Sequence, residues 1–118
     1  MDISSMGWYI LDKDNNPVRC NTMEEKIEYD KTYPTRKILG RTHIGEQRIS
    51  TVFLGLEHGH GYDKHVLWET MIFGGDNDQY QERYNSHDKA MRGHEEIVIN
   101  IVMGKTYCND DDKWKGEK

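Results

Sequence analysis

Two blocks of apolar residues constrain the fold of this chain more than anything else in it. Arg48-Ile49-Ser50-Thr51-Val52-Phe53-Leu54-Gly55-Leu56-Glu57 puts Val52, Leu54 and Leu56 on one side of an extended backbone. Ile49, Thr51, Phe53 and Gly55 fall on the other side. Val66 to Phe73 (VLWETMIF) has the same character. Apolar side chains on both faces predict central strands that are at least partly covered on each side. A third constraint is helical. Ala90, Met91, His94, Ile97, Val98, Ile101 and Val102 recur at helical spacing and make one stripe. Ser86 serves as N-cap, Asp88 suits the positive helix start, and Gly104 ends the helix. Gly93 lies beside the stripe, where Gly costs about 1 kcal/mol against Ala, so a close approach to the sheet is expected there.

The remaining elements are shorter. Gly7 to Leu11 reads as a strand, Asp12 to Asn16 as a turn, and Pro17 to Cys20 as a short edge strand. Thr22 and Glu25 form a capping box that opens a helix from Met23 to about Lys31, with Met23 and Ile27 facing inward and Pro34 beyond its end. Arg36 to Ile44 is a further strand, followed by the turn Gly45-Glu46-Gln47. After the turn Gly74 to Asp78, Gln79 to Tyr84 returns as a more polar strand. The order β, β, α, β, β, β, β, α implies an α+β fold. Its mainly antiparallel sheet would have about five to six strands, with the long C-terminal helix and the short helix packed on it. A chain of 118 residues fits one core. Residues 1–104 are expected to form a single domain and 105–118 a polar tail, pinned locally by Trp114.

Composition narrows the function classes. The net charge is −5 and no Lys/Arg cluster occurs, so direct nucleic-acid binding is not expected. The longest apolar run, Ile97 to Val102, is interrupted by Asn100 and is too short to span a bilayer. Met1 to Ser5 lacks the basic start and apolar stretch of a signal peptide, so no membrane association and a cytosolic setting are expected. Cys20 and Cys108 lack CxxC spacing and are expected to be free thiols. There is no nucleophile elbow, P-loop, dinucleotide fingerprint, zinc-finger spacing or kinase signature. No catalytic residue and no cofactor is assigned, and that weakens an enzymatic reading.

Three places could still carry chemistry. Glu57 to His65 holds three histidines and two carboxylates, so His58, His60 and His65 could ligate a metal, or the run is simply a Gly-rich connection. Glu69 shares a strand face with Leu67, Met71 and Phe73, where an ionised carboxylate needs a partner. If Phe73 lies opposite Gln79, Arg83 falls opposite Glu69 and neutralises it across the strands. The functional alternative is a ligand pocket in which Glu69 is joined by Arg48, Ser50, His58, Thr70 and Arg83. His94, on the helix stripe, reads as a core histidine bonded to a backbone carbonyl.

Several of these residues fall in one pattern. Arg48 to His58, Trp68-Glu69-Thr70-Met71-Ile72-Phe73-Gly74-Gly75, Gln81-Glu82-Arg83-Tyr84 and Arg92-Gly93-His94-Glu95 follow one another in order. Together they resemble a family of small uncharacterised proteins of phages and prophage regions, with the pattern RxSTVFLGLxH…ETMxFGG…QERY before a Gly-His helix. The resemblance covers roughly residues 7 to 103. It implies a phage context without a mechanism. Of the three loop histidines, only His58 belongs to the pattern. In that context the expectation is a binding protein acting in the host cytoplasm on a host or defence protein, such as an anti-defence inhibitor. The alternatives are a small-ligand-binding or hydrolytic domain around Glu69, and a virion or assembly accessory protein. A homodimer is compatible with each.

Overall fold

In a computed structural model, which describes residues 7–57, 66–108 and 110–116, the two apolar blocks pair as neighbouring antiparallel strands. They are β4 (Gln47–Phe53) and β5 (Trp68–Phe73), with Thr51 opposite Thr70 and Ile49 opposite Ile72. β3 (Ile38–Ile44) flanks β4 and β6 (Gln81–Tyr84) flanks β5, giving a four-stranded sheet in the order β3-β4-β5-β6. Alternation then divides the strands cleanly. Ile49, Thr51 and Phe53 of β4 and Trp68, Thr70 and Ile72 of β5 are buried, and the residues between them are only half-covered or exposed.

The cover on the buried face is α2 (His87–Val102), which touches all four strands. The side chain of its N-cap, Ser86, accepts from the Lys89 amide. At the other end Gly104 has a φ of +78°, its amide donates to Ile101 and the Lys105 amide donates to Asn100. That is a Schellman closure, which satisfies carbonyls the helix itself leaves open. Ala90, Gly93, Ile97 and Ile101 are the buried positions, and all but Gly93 belong to one of two apolar clusters. One contains Tyr9, Leu11, Tyr29, Phe53, Leu67, Trp68, Tyr84 and Ala90; the other contains Ile49, Ile72, Ile97 and Ile101.

The α+β class and the antiparallel pairing are as the sequence predicts, but the strands are divided. β1 (Tyr9–Leu11) and β2 (Pro17–Arg19) form a separate hairpin. The long strand expected from Arg48 to Glu57 ends at Phe53, and Gly55 takes a φ of +77°. This left-handed residue breaks the extended run, and the Tyr9 amide then donates to the Gly55 carbonyl at 2.6 Å. One apolar block thus serves β5 first and the β1 hairpin second.

Two further expectations need correction. α1 (Met23–Thr32) starts at its capping box, the Glu25 amide donating to the Thr22 hydroxyl at 3.2 Å, but Ile27 is 47% exposed. Tyr29 is the buried residue of this helix. Nearby, the Lys26 ammonium lies over the rings of Trp8 and Tyr29 while paired with Asp30 at 2.8 Å. A long aliphatic stem can cover apolar surface as well as an isoleucine. The segment expected as a solvated tail instead forms a hairpin of β7 (Thr106–Cys108) and β8 (Lys113–Lys115). Tyr107 and Trp114 face each other across it and pack on Tyr80. Two aromatic rings within a charged stretch supply enough apolar surface to hold it down.

Candidate functional site

The same four strands carry two different sets of polar residues, one on each face. On the outward face lie Arg41 and His43 of β3, Arg48, Ser50 and Val52 of β4, Glu69, Met71 and Phe73 of β5, and Gln81 and Arg83 of β6. None of them is buried. Glu69 stands opposite Arg83, in the register the sequence predicts for a neutralising pair. Its Oε2 accepts from Arg83 Nε at 3.0 Å and also from Gln81 Nε2. The Arg48 guanidinium sits 4.6 Å from the centroid of the Phe73 ring, a cation–π contact.

Four of the six proposed ligand-binding residues, Arg48, Ser50, Glu69 and Arg83, therefore share this face. Thr70 does not. It points to α2, is fully buried, and its hydroxyl lies 2.5 Å from that of Thr51. Strand alternation forces this, because Glu69 and Thr70 are consecutive and must point oppositely. His58, the sixth, lies outside the described residues, as do His60 and His65 of the suggested metal loop. Among the described residues, no group of three or more His, Cys, Asp or Glu side chains is arranged to hold a metal.

The inward face holds a polar chain. The Tyr84 hydroxyl donates to Thr70 Oγ1 at 3.0 Å, Thr70 meets Thr51, Thr51 Oγ1 meets His94 Nδ1 at 2.7 Å, and His94 Nε2 meets Thr42 Oγ1 at 2.9 Å. A neutral imidazole offers one donor and one acceptor. The protons can then run in one direction: Tyr84 to Thr70 to Thr51 to Nδ1, with Nε2–H donating to Thr42. Burial is the main cause holding the His94 pKa below its ordinary value, and Glu95 opposes it weakly. Burial also pushes the Tyr84 phenol up to about 12. Both groups therefore stay neutral near pH 7, so the chain carries no net charge into the interior.

Two glycines make room for this chain. A Cβ on Gly93 would lie 2.4 Å from the Tyr84 hydroxyl oxygen, so the close approach expected of the helix is to the Tyr84 phenol on β6. A Cβ on Gly40 would lie 3.0 Å from His94 Nε2. The two apolar clusters lie on either side of the polar band, as the order Ile49, Thr51, Phe53 along β4 and Ile72, Thr70, Trp68 along β5 requires. The carbonyl partner expected for His94 is replaced by two threonine hydroxyls. The strand pattern already placed Thr51 on one face with Ile49 and Phe53; that is the available signal, although threonine is common enough in strands to pass unnoticed.

Thr51, Thr70, Tyr84, Gly93 and His94 all belong to the residue pattern described for the sequence, and the fold brings them to one place. No family model, curated protein or solved structure matches the chain. No helix among the described residues is long and apolar enough to cross a membrane.

Proposed function

We propose that this chain is a binding protein that engages a partner protein through the outward face of the β3–β6 sheet. The observation that carries the reading is the make-up of that face. Val52, Met71 and Phe73 are partly exposed along its two central strands, with Arg41, Arg48 and Arg83 around them and Glu69 as the one acid among the residues named above. The chain has a net charge of −5, so this face has the opposite sign to the molecule as a whole. Partly exposed apolar side chains flanked by arginine favour a protein partner, since aromatic residues, Met and Arg are enriched at protein interfaces. The complementary partner surface is acidic with an apolar centre. A ligand pocket or hydrolytic centre at Glu69 has less support, because Arg83 and Gln81 already occupy its Oε2 on an open face.

In the phage setting that the residue pattern implies, the partner is a host or defence protein met in the host cytoplasm. The test is capture of partners from host cells during infection by the unaltered chain, by Arg41→Glu/Arg48→Glu, and by Ile99→Ser, which alters an exposed position on α2. The double reversal should lower recovery of the captured protein about tenfold or more, with a marked salt dependence. Ile99→Ser should leave it unchanged. Equal recovery by all three would remove the sheet face from the binding surface.

A further inference from the structure

Trp68 sits on the inward face of β5, opposite Tyr84 of β6. Two residues beyond Tyr84 comes Ser86, the N-cap of α2, so the start of that helix emerges beside the Trp68 strand. The turn between β1 and β2 approaches from the other side, because Tyr9 and Leu11 of β1 share the apolar cluster of Trp68. Asp12 holds this turn, its Oδ1 accepting from the Asp14 and Asn16 amides at 2.8 and 2.9 Å. Between turn and helix lies a hollow of about 240 Å³, and Trp68 is part of its wall. Asn15, Asn16 and Asn85 also line it, with the acids Asp14 and Asp88 and no lysine or arginine. Trp68 is 1% exposed, yet its indole N–H has no acceptor among the described residues. An indole can only donate, and a buried donor left unpaired costs about 1–3 kcal/mol. The helix start adds donors at the same place. The Lys89 amide is satisfied by Ser86, but those of His87 and Asp88 have no acceptor inside the helix.

We propose that this hollow binds a neutral, hydroxyl-rich ring, a single sugar residue. Its donors and acceptors are sorted by depth. Trp68 is the buried wall, whereas Asp14 and Asp88 are exposed at the mouth. A ligand oxygen that reaches Trp68 and the α2 amides accepts from them, while hydroxyls left at the mouth donate to the two carboxylates. An anion would suit the N–H groups, but Asp14 and Asp88 repel it and no lysine or arginine in the lining offsets them. A cation would suit the carboxylates, but it would face N–H groups and the positive end of the helix dipole. A hydroxyl both donates and accepts, so a ring carrying several of them meets the whole set. The volume lies below the roughly 300–1,000 Å³ usual for drug-sized ligands, which fits one ring. None of the outward-face residues lines this hollow, so the inference does not rest on the sheet-face reading.

The test uses the full chain, labelled with ¹⁵N, and follows its indole N–H signals, assigned through Trp8→Phe and Trp114→Phe so that Trp68 stays intact. Glucose, galactose and N-acetylglucosamine are titrated separately, with sodium acetate as the anion and ammonium chloride as the cation for comparison. At least one sugar should shift the Trp68 signal saturably and leave those of Trp8 and Trp114 unmoved. The two salts should bind about tenfold more weakly or worse. Asp88→Asn removes a charged acceptor at the mouth and should weaken the sugar about threefold or more. Asn85→Trp, at an exposed position, fills the hollow and should abolish the shift with an unchanged melting temperature. Acetate binding as tightly as the best sugar overturns the proposal in favour of an anion at the helix start. A Trp68 signal unmoved by all three sugars also overturns it and leaves that N–H to water.

Discussion

Ser50 and Thr51 are neighbours in the chain, yet their hydroxyls meet very different surroundings. Ser50 stands on the outward face between β3 and β5, half-exposed and opposite Arg41 and Met71. Thr51 is fully buried and joins Thr70 to His94. The same contrast holds between Glu69 and Thr70 on β5. On one face the polar groups are arginines that keep access to water and a carboxylate held by Arg83 and Gln81. On the other they are neutral hydroxyls and a neutral imidazole, buried or partly buried between the sheet and α2 and bonded to one another. A buried polar group left without a partner costs far more than an exposed one, so the inner set bears on stability and the outer set on contact.

The sharpest way to break this contrast is to remove one hydroxyl from each face. Thr51→Val keeps the side-chain shape but takes a partner from both Thr70 and His94. It should cost about 2–4 kcal/mol, from orphaned buried groups at about 1–3 kcal/mol each. Ser50→Ala should stay within about 0.5 kcal/mol, as surface changes usually do. Urea unfolding midpoints at constant m-value measure both. Similar losses for the two variants would mean that the buried chain contributes nothing special.

Acidification sharpens the contrast by a smaller amount. Burial lowers the His94 pKa in the folded state, so above the unfolded value of about 6.5 the residue is neutral in both states and contributes no pH dependence. As the pH falls below that value, the unfolded chain takes up a proton that the folded chain resists. Stability therefore falls with pH until the folded pKa is reached, where the loss levels off. The imidazole is partly rather than fully buried, which moderates the effect. Unfolding free energies compared from about pH 8 to pH 5 for the unaltered chain and His94→Gln isolate it from the other histidines. The difference between the two should shrink on acidification, and a constant difference would show that His94 titrates as it does in the unfolded chain.

Much of this arrangement is legible in the sequence because period and spacing carry it. The alternation after Arg48 and after Val66 specifies two adjacent strands, and the register that sets Glu69 opposite Arg83 follows from the turn length. The caps at Thr22 and Ser86 mark both helix starts. What escaped depends on tertiary context. Ile27 is exposed and Lys26 covers Trp8 and Tyr29, since a helix with so few apolar residues leaves its orientation to long-range packing. Gly55 ends β4 because the β1 hairpin needs its carbonyl, and no local rule announces that. The β7–β8 hairpin owes its place to Tyr80, some thirty residues away. The candidate pocket mixed Thr70 with Glu69, although strand parity separates them.

The smallest expected effect lies at Glu69, and it tests the outer half of the contrast. Its pair with Arg83 is on the outward face, where the Arg83 side chain is 41% exposed although that of Glu69 is only 12% exposed, and water around the guanidinium keeps the contribution near the roughly 0–1 kcal/mol of surface pairs. Glu69→Gln keeps an oxygen that can accept from Arg83 and removes the charge, so stability should change by less than about 1 kcal/mol. Binding should move in the opposite direction to Arg48→Glu. Neutralising the acid among Arg41, Arg48 and Arg83 makes the face more positive and should strengthen capture of an acidic partner, chiefly through a faster association rate at low salt. A thermal melt and a partner titration on the same variant read the two outcomes separately. If Glu69→Gln costs as much stability as Thr51→Val, the outward polar groups are as integral to the fold as the inward ones, and the division of labour between the two faces fails.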